Sequence, residues 1–120
     1  MPLTVLIVDD FERFRAAARA ELESGNFVVV GEAADGKAAI AAAELLKPDV
    51  VLLDIYLPDE DGYAVANALA ERGSEAAVVL ISSRDVSAAA IARYSPRVRG
   101  FISKSEFSCM RLAALLEAAP

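Results

Sequence analysis

Short continuous apolar runs alternate along the chain with segments whose apolar positions recur every three or four residues, the pattern of strands followed by helices. Residues 3–8 form the first run, rich in β-branched side chains, and it stops at Asp9-Asp10. Over residues 11–24, Phe11, Phe14, Ala18 and Leu22 share one helical face, and Gly25 is placed to close the helix. Residues 27–33 read as a second strand, Asp35-Gly36 as a turn, and 37–46 as an Ala-rich helix that must stop near Lys47-Pro48. The third strand begins at Val50 with four consecutive apolar residues, as in a strand buried on both faces, and delivers Asp54 at its carboxyl end. A helix follows over about 61–72, with Val65 and Leu69 inward and Gly73 at its end. Residues 76–81 form the fourth strand and run into Ser82-Ser83-Arg84-Asp85; a short helix over about 86–94 ends at Ser95-Pro96. Residues 98–103 read as the fifth strand and 106–118 as a closing helix. Phe107, Met110 and Ala114 form one stripe of that helix, widened by Leu112, Leu115 and Leu116.

Five strand-helix units of this length require right-handed crossovers, hence an α/β fold with a mostly parallel sheet and helices on both faces. A length of 120 residues suits one domain. The composition, 56% hydrophobic and 25% charged, excludes both a disordered chain and a membrane protein.

Charge and rare residues then narrow the chemistry. A formal charge of −6 argues against direct nucleic-acid binding by this domain, and the amino terminus lacks the basic and apolar regions of a leader, so the expected location is cytoplasmic. Having no histidine and one cysteine, Cys109, the chain has little capacity for zinc or imidazole catalysis, and any bound metal should be a hard cation held by oxygens. Cys109 itself reads as a small buried or half-buried helix residue rather than a nucleophile. Polar residues end four of the five strands: Asp9-Asp10, Asp54, Ser82-Ser83 and Lys104. In a parallel sheet those ends share one edge, where ligands bind. Three crowded carboxylates call for a divalent cation such as Mg²⁺ to neutralise them, and a hydroxyl with an ammonium completes a cradle for phosphate. Taken singly, Asp9-Asp10 is a helix cap, Lys104 a solvated lysine, Ser82 a turn residue and Phe101 a core aromatic; Asp35, Asp49, Asp59 and Glu60 read as turn and loop acids. The conjunction at one edge is what points to chemistry.

In family order, the Asp-Asp pair after strand one, Asp54 followed by Pro58 and Asp61-Gly62, Ser82 after strand four and Lys104 after strand five resemble a response-regulator receiver domain of two-component signalling. The likeness spans essentially the whole chain, 1–120. It implies a flavodoxin-like doubly wound sheet of five parallel strands in the order 2-1-3-4-5. It further implies that Asp54 is the phosphoacceptor, that Asp9, Asp10, Asp54 and the Tyr56 backbone carbonyl hold Mg²⁺, that Ser82 and Lys104 contact the phosphoryl group, and that Phe101 reports the switched state beside Ser82. The donor would be a sensor histidine kinase. The output would be a changed face formed by the fourth helix, fifth strand and fifth helix, open to a homodimer. The run Val-Val-Gly-Glu-Ala-Ala-Asp-Gly-Lys and the sequence Gly-Phe-Ile-Ser-Lys-Ser resemble receivers joined to output domains of the LuxR-like class. Ser105 stands where such domains often carry proline.

Two other readings share parts of this pattern. A phosphoaspartate-forming phosphatase needs an acid two residues after the nucleophile, where this chain has Tyr56. A flavodoxin-like cofactor binder needs a donor-rich phosphate loop after strand one, where two acids stand. The receiver reading makes the chain a phosphoacceptor that assists its own phosphoryl transfer and slow autodephosphorylation rather than an enzyme. Residues 84–111 carry six basic residues (Arg84, Arg93, Arg97, Arg99, Lys104, Arg111) against two acids (Asp85, Glu106), so the expected output face is basic and suited to an acidic partner surface.

Overall fold

The strand at the centre of the sheet is the one with the unbroken apolar run: β3, Val50–Asp54, is buried at every residue. A computed structural model describes residues 2–94 and 98–117. β1 (Leu3–Val8) and β4 (Ala77–Ser82) flank β3, β2 (Phe27–Ala33) and β5 (Val98–Ser103) lie outside them, and all neighbours are parallel in the order β2-β1-β3-β4-β5. The chain thus leaves β1 toward one edge and returns to build β3, β4 and β5 toward the other. This reversal opens a crevice at the carboxyl ends of β1 and β3.

Alternation along each strand divides the core into two layers. Leu6, Val8, Val51, Leu53, Val78 and Leu80 face α2 (Gly36–Leu46) and α3 (Gly62–Glu71), packing on Ala39, Ala43, Val65, Ala66 and Leu69. Val5, Ile7, Val50, Leu52, Val79, Ile81 and Ile102 face the opposite way, onto Ala18 and Leu22 of α1 (Glu12–Ser24) and Leu112 of α5 (Cys109–Glu117). The small side chains of α2 let it approach the sheet closely, and Asp35 caps its start by accepting from the Ala38 N–H at 2.7 Å.

Two helices differ from the pattern-based expectation. α4 spans only Ala88–Ile91 and buries no residue, although the sequence suggests 86–94. Ser87 caps it, its Oγ accepting from the Ala90 N–H at 3.1 Å, and three successive alanines give it no apolar face with which to extend. α5 starts at Cys109 rather than at 106, because Lys104–Glu106 forms a 3₁₀ turn, Phe107 is extended and Ser108 receives the Arg111 N–H at 3.1 Å. The expected stripe is corrected accordingly. Met110 and Ala114 face solvent, Leu112 is the buried residue, and Phe107 packs edge-on against Phe14 at 6.0 Å before the helix begins. Phe11, expected on the inner face of α1, is instead its exposed N-cap. The expected helix stop at Ser95-Pro96, Arg97 of the basic run and Ala118 as the last residue of α5 lie outside the described residues.

Leu80, fully buried in the β4 segment between β3 and β5, tests this two-layer packing. Leu80→Ala should lower the unfolding free energy by about 2–5 kcal/mol, read from urea titration with an unchanged denaturant slope.

Candidate functional site

Strand register brings the polar strand ends together. Val8 pairs with Leu53 and Leu53 with Leu80, so Asp9, Asp54 and the end of β4 are neighbours at one edge. The Asp9 N–H continues the ladder to the Ala33 carbonyl at 3.0 Å, and the Ile55 N–H does so to the Ile81 carbonyl at 3.1 Å. The two acids are thereby pinned at the carboxyl ends of their strands. Asp9 is wholly buried and Asp54 nearly so, whereas Asp10 is exposed.

Each buried carboxylate is half satisfied by its own chain. Asp9 Oδ1 accepts from the Phe11 N–H at 2.8 Å, a turn bond just ahead of α1 rather than a cap of it, and Asp54 Oδ1 accepts from the Tyr56 N–H at 3.0 Å. The second oxygens face one cation: Lys104 Nζ donates to Asp54 Oδ2 at 3.1 Å and lies 2.6 Å from Asp9 Oδ2. The latter contact is ionic without hydrogen-bond direction, and Asp9 Oδ2 is, among the described residues, a buried side-chain oxygen with no donor aimed at it. One oxygen from each of Asp9, Asp10 and Asp54 lies within 4.8 Å of the others. An all-oxygen set in which one buried atom has an ionic neighbour but no hydrogen-bond donor fits a hard divalent cation.

Burial first, and then the nearby Asp9 charge, push the Asp54 carboxyl above its usual range against the opposing pull of the Tyr56 N–H and Lys104. Burial acts the other way on Lys104, yet the close carboxylates of Asp9 and Asp54 outweigh it and hold the ammonium above its ordinary value. Three carboxylates against one ammonium leave the site short of positive charge.

Around this centre the rim is built from both sides. Ser82 is buried at the end of β4, and its Oγ accepts from the Arg84 N–H at 3.0 Å. The Arg84 guanidinium stacks 4.7 Å over the half-exposed Tyr56 ring. The loop after β3 is closed tightly: the Gly62 N–H reaches the Ile55 carbonyl at 2.7 Å, and a Cβ at Gly62 would stand 2.9 Å from the Ile55 Cα. Asp61 caps α3 through the Ala64 N–H at 2.8 Å. Phe101, opposite Leu80, is partly buried on the α2–α3 side of the sheet, in the cluster that also holds Val86 and Tyr94. Tyr94 stacks edge-on against Tyr63 at 5.4 Å, and its hydroxyl, near Asp61, is pushed up to about 12 mainly by burial.

Several supporting residues leave no trace in a motif. Arg15 donates through Nη1 to the Asp9 carbonyl at 2.7 Å and through Nε to Glu32 at 2.9 Å, and Arg19 holds the other Glu32 oxygen at 2.8 Å. Asp59, read as a loop acid, accepts from the Gly36 and Lys37 N–H groups at 2.8 and 3.1 Å and so caps α2 from across the fold; the Gly36 N–H, the stronger influence, holds its carboxyl below the usual range. Phe11 and Phe14 each present a ring 5.0 Å from Lys104 Nζ. Cys109 is half-buried, donates to the Glu21 carbonyl at 2.9 Å and has its thiol pushed up by burial, in keeping with an inert thiol. A hollow of about 620 Å³ lined by Glu44, Lys47, Asp49, Arg72 and Glu75 lies at the far ends of α2 and α3, away from these residues.

Residues 5–117 match the family model described as the response regulator receiver domain. Among curated proteins, the protein-glutamate methylesterase/protein-glutamine glutaminase 2 of Anaeromyxobacter dehalogenans is 47% identical over 72 residues, covering 58% of this chain and 21% of that protein. The transcriptional regulatory protein PdtaR of Mycobacterium tuberculosis is 38% identical over 88 residues, 72% of this chain and 43% of that protein. The chain spans less than half the length of these relatives. Among solved structures, the signal receiver domain of NarL from Mycobacterium tuberculosis superposes with a TM-score of 0.82 at 33% identity over 98% of both chains. A LuxR-family two-component response regulator from Aurantimonas superposes at 0.84 with 24% identity, covering 97% of this chain and 84% of that one, a likeness of fold.

The Arg15–Glu32–Arg19 network gives a pH signature. The arginines, Arg19 first, hold Glu32 below its ordinary value of 4.5 in the folded state. A depressed folded value means that the contribution is present above about pH 4.5 and lost as pH falls through the folded value. Glu32→Gln should therefore cost roughly 1 kcal/mol at neutral pH, with the difference from wild type vanishing in acid; unfolding at pH 7 and pH 3 checks this.

Proposed function

The chain belongs to the response-regulator receiver family of two-component signalling, and we propose that it is a phosphorylation-dependent switch whose phosphoacceptor is Asp54. The observation that carries this reading is the buried Asp54 carboxylate, held at a strand end between the Lys104 ammonium and the Asp9-Asp10 pair. An aspartate already ionised needs no base to attack, and among the described residues the positive charge required on a phosphoryl group is supplied at this edge by Lys104. The donor proposed is a phosphohistidine on a sensor kinase. A carboxylate oxygen of Asp54 forms the new P–O bond as the P–N bond of the donor breaks, and the electron pair leaves with the imidazole.

Asp9, Asp10, Asp54 and the Tyr56 carbonyl would hold Mg²⁺, which when bound supplies charge neutralisation for the phosphoryl oxygens. Lys104 would then trade its contact with Asp9 for the phosphoryl group, and the Ser82 hydroxyl would turn toward it. Phe101 can follow into the space released, and the short α4 is the element with least packing to resist. Tyr56, stacked with Arg84 and two residues from Asp54, would screen the site and slow entry of the water that hydrolyses the phosphoaspartate.

The output is proposed to pass through the face of α4, β5 and α5, to a second copy or to an acidic partner. The cations of that region are largely committed to internal contacts: Arg84 stacks on Tyr56, Arg93 lies 5.1 Å over Tyr63, Arg99 donates to the Leu116 carbonyl at 3.2 Å and Lys104 is in the site. The basic character expected of the face is therefore tied to its internal packing. No helix among the described residues is long and apolar enough to cross a membrane, and a cytoplasmic setting with a kinase partner belongs to the same proposal.

Incubation with an acyl phosphate and Mg²⁺ should label the wild-type chain, and Asp54→Asn or chelation of the metal should abolish labelling; equal labelling of Asp54→Asn would refute the assignment. Tyr56→Ala should shorten the lifetime of the phosphorylated form severalfold, and an unchanged lifetime would remove Tyr56 from that role.

A further inference from the structure

Phe11 breaks a local rule. It is the N-cap of α1, where Ser, Thr, Asp and Asn are favoured because a side-chain oxygen can receive an otherwise orphaned N–H, and its side chain makes no such bond. A large apolar ring is instead left 62% exposed at the edge of the site. Local rules are usually broken where a function is served.

The ring does have a partner. Lys104 Nζ lies 5.0 Å from its centroid and 5.0 Å from that of Phe14, within the range of a cation–π contact. Phe14 is fixed from behind by its edge-on contact with Phe107. The ammonium is thus enclosed by Asp9 and Asp54 on one side and two aromatic rings on the other, with its side chain only 11% exposed.

Phe11, we infer, is a positioning residue for Lys104: with Phe14 it forms a wall that keeps the ammonium beside Asp54 when Asp9 is needed elsewhere. The inference rests on the phosphoacceptor reading. A carboxylate attracts an ammonium and a hard divalent cation alike, so acids alone would set the two in competition for Asp9 Oδ2. A ring face attracts the ammonium through its quadrupole but lacks the oxygen ligand that a hard cation requires. The wall therefore distinguishes the two cations, retaining the lysine at hand while leaving Asp9 and Asp10 to a metal. It also restrains a flexible side chain that would otherwise swing toward water.

Two measurements test this on Phe11→Leu, which keeps an apolar side chain without a ring, and Phe11→Tyr, which keeps the ring. By proton NMR of the unphosphorylated chain, the Lys104 ε-methylene resonances should be shifted upfield by the rings, move toward ordinary lysine values in Phe11→Leu and stay shifted in Phe11→Tyr. Affinity for beryllofluoride with Mg²⁺ should fall about two- to fivefold in Phe11→Leu and be retained in Phe11→Tyr, and the Phe11→Leu effect should disappear in a Lys104→Met background. Unchanged methylene shifts in Phe11→Leu, or an equal loss of affinity with and without Lys104, would overturn the inference. Wild type that binds no beryllofluoride, with the methylene shifts behaving as expected, would instead overturn the phosphoacceptor reading and leave Phe11 as a support for the lysine alone.

Discussion

Two carboxylates buried at the rim of a sheet, with a single ammonium between them, form the constraint on which the rest of this structure depends. Burying one charge without a partner is costly, and here Asp9 and Asp54 share Lys104 while Asp10 adds a third negative charge at the surface. Such an arrangement persists only if the backbone cannot relax away from it. The parallel register of β1, β3 and β4 and the ladder bonds of Asp9 and Ile55 fix the acids at their strand ends. Arg15 ties the Asp9 carbonyl to α1 and β2. The surplus of negative charge that remains makes the edge receptive to a cation or to a group that brings one.

This dependence explains which parts of the molecule could be read from the chain. β1, β2 and β5 have the expected bounds, because an apolar run closed by charges records both burial and the place where burial ends. The acids, the serine and the lysine share one edge for the same reason: each stands within two residues of the last apolar residue of a strand, and parallel pairing aligns those positions. Helix faces and ends were less legible. In α5, a 3₁₀ turn and an extended Phe107 shift the helix start by three residues, which rotates Met110 and Ala114 to the outside. In α4, three alanines satisfy helix propensity without supplying anything to bury. Contacts between polar groups far apart in sequence, such as Arg15 with Glu32 or Thr4 with Asp49, have no periodicity at all.

The cations of the carboxyl-terminal half also serve the fold itself. The local excess of positive residues there includes Arg84, Arg93, Arg99 and Lys104, each of which contacts a ring, a carbonyl or a carboxylate of its own chain. Their charges hold aromatic side chains and a helix end in place. Cation–π contacts recur on both sides of the site, at Tyr56, Tyr63, Phe11 and Phe14, so aromatic rings serve here as ligands for cations as well as core filling.

The Asp59 carboxylate, seated on the first N–H groups of α2, has a mechanical consequence. It bolts the segment after β3 to a helix whose own face is anchored in the core, so that flank of the crevice is tied down twice. The opposite flank carries α4, a single helical turn with no buried residue. Two unequally packed flanks therefore meet at Asp54. On the proposed reading, a change at Asp54 would be passed to the less packed flank, in the way that a door opens on the side away from its hinge.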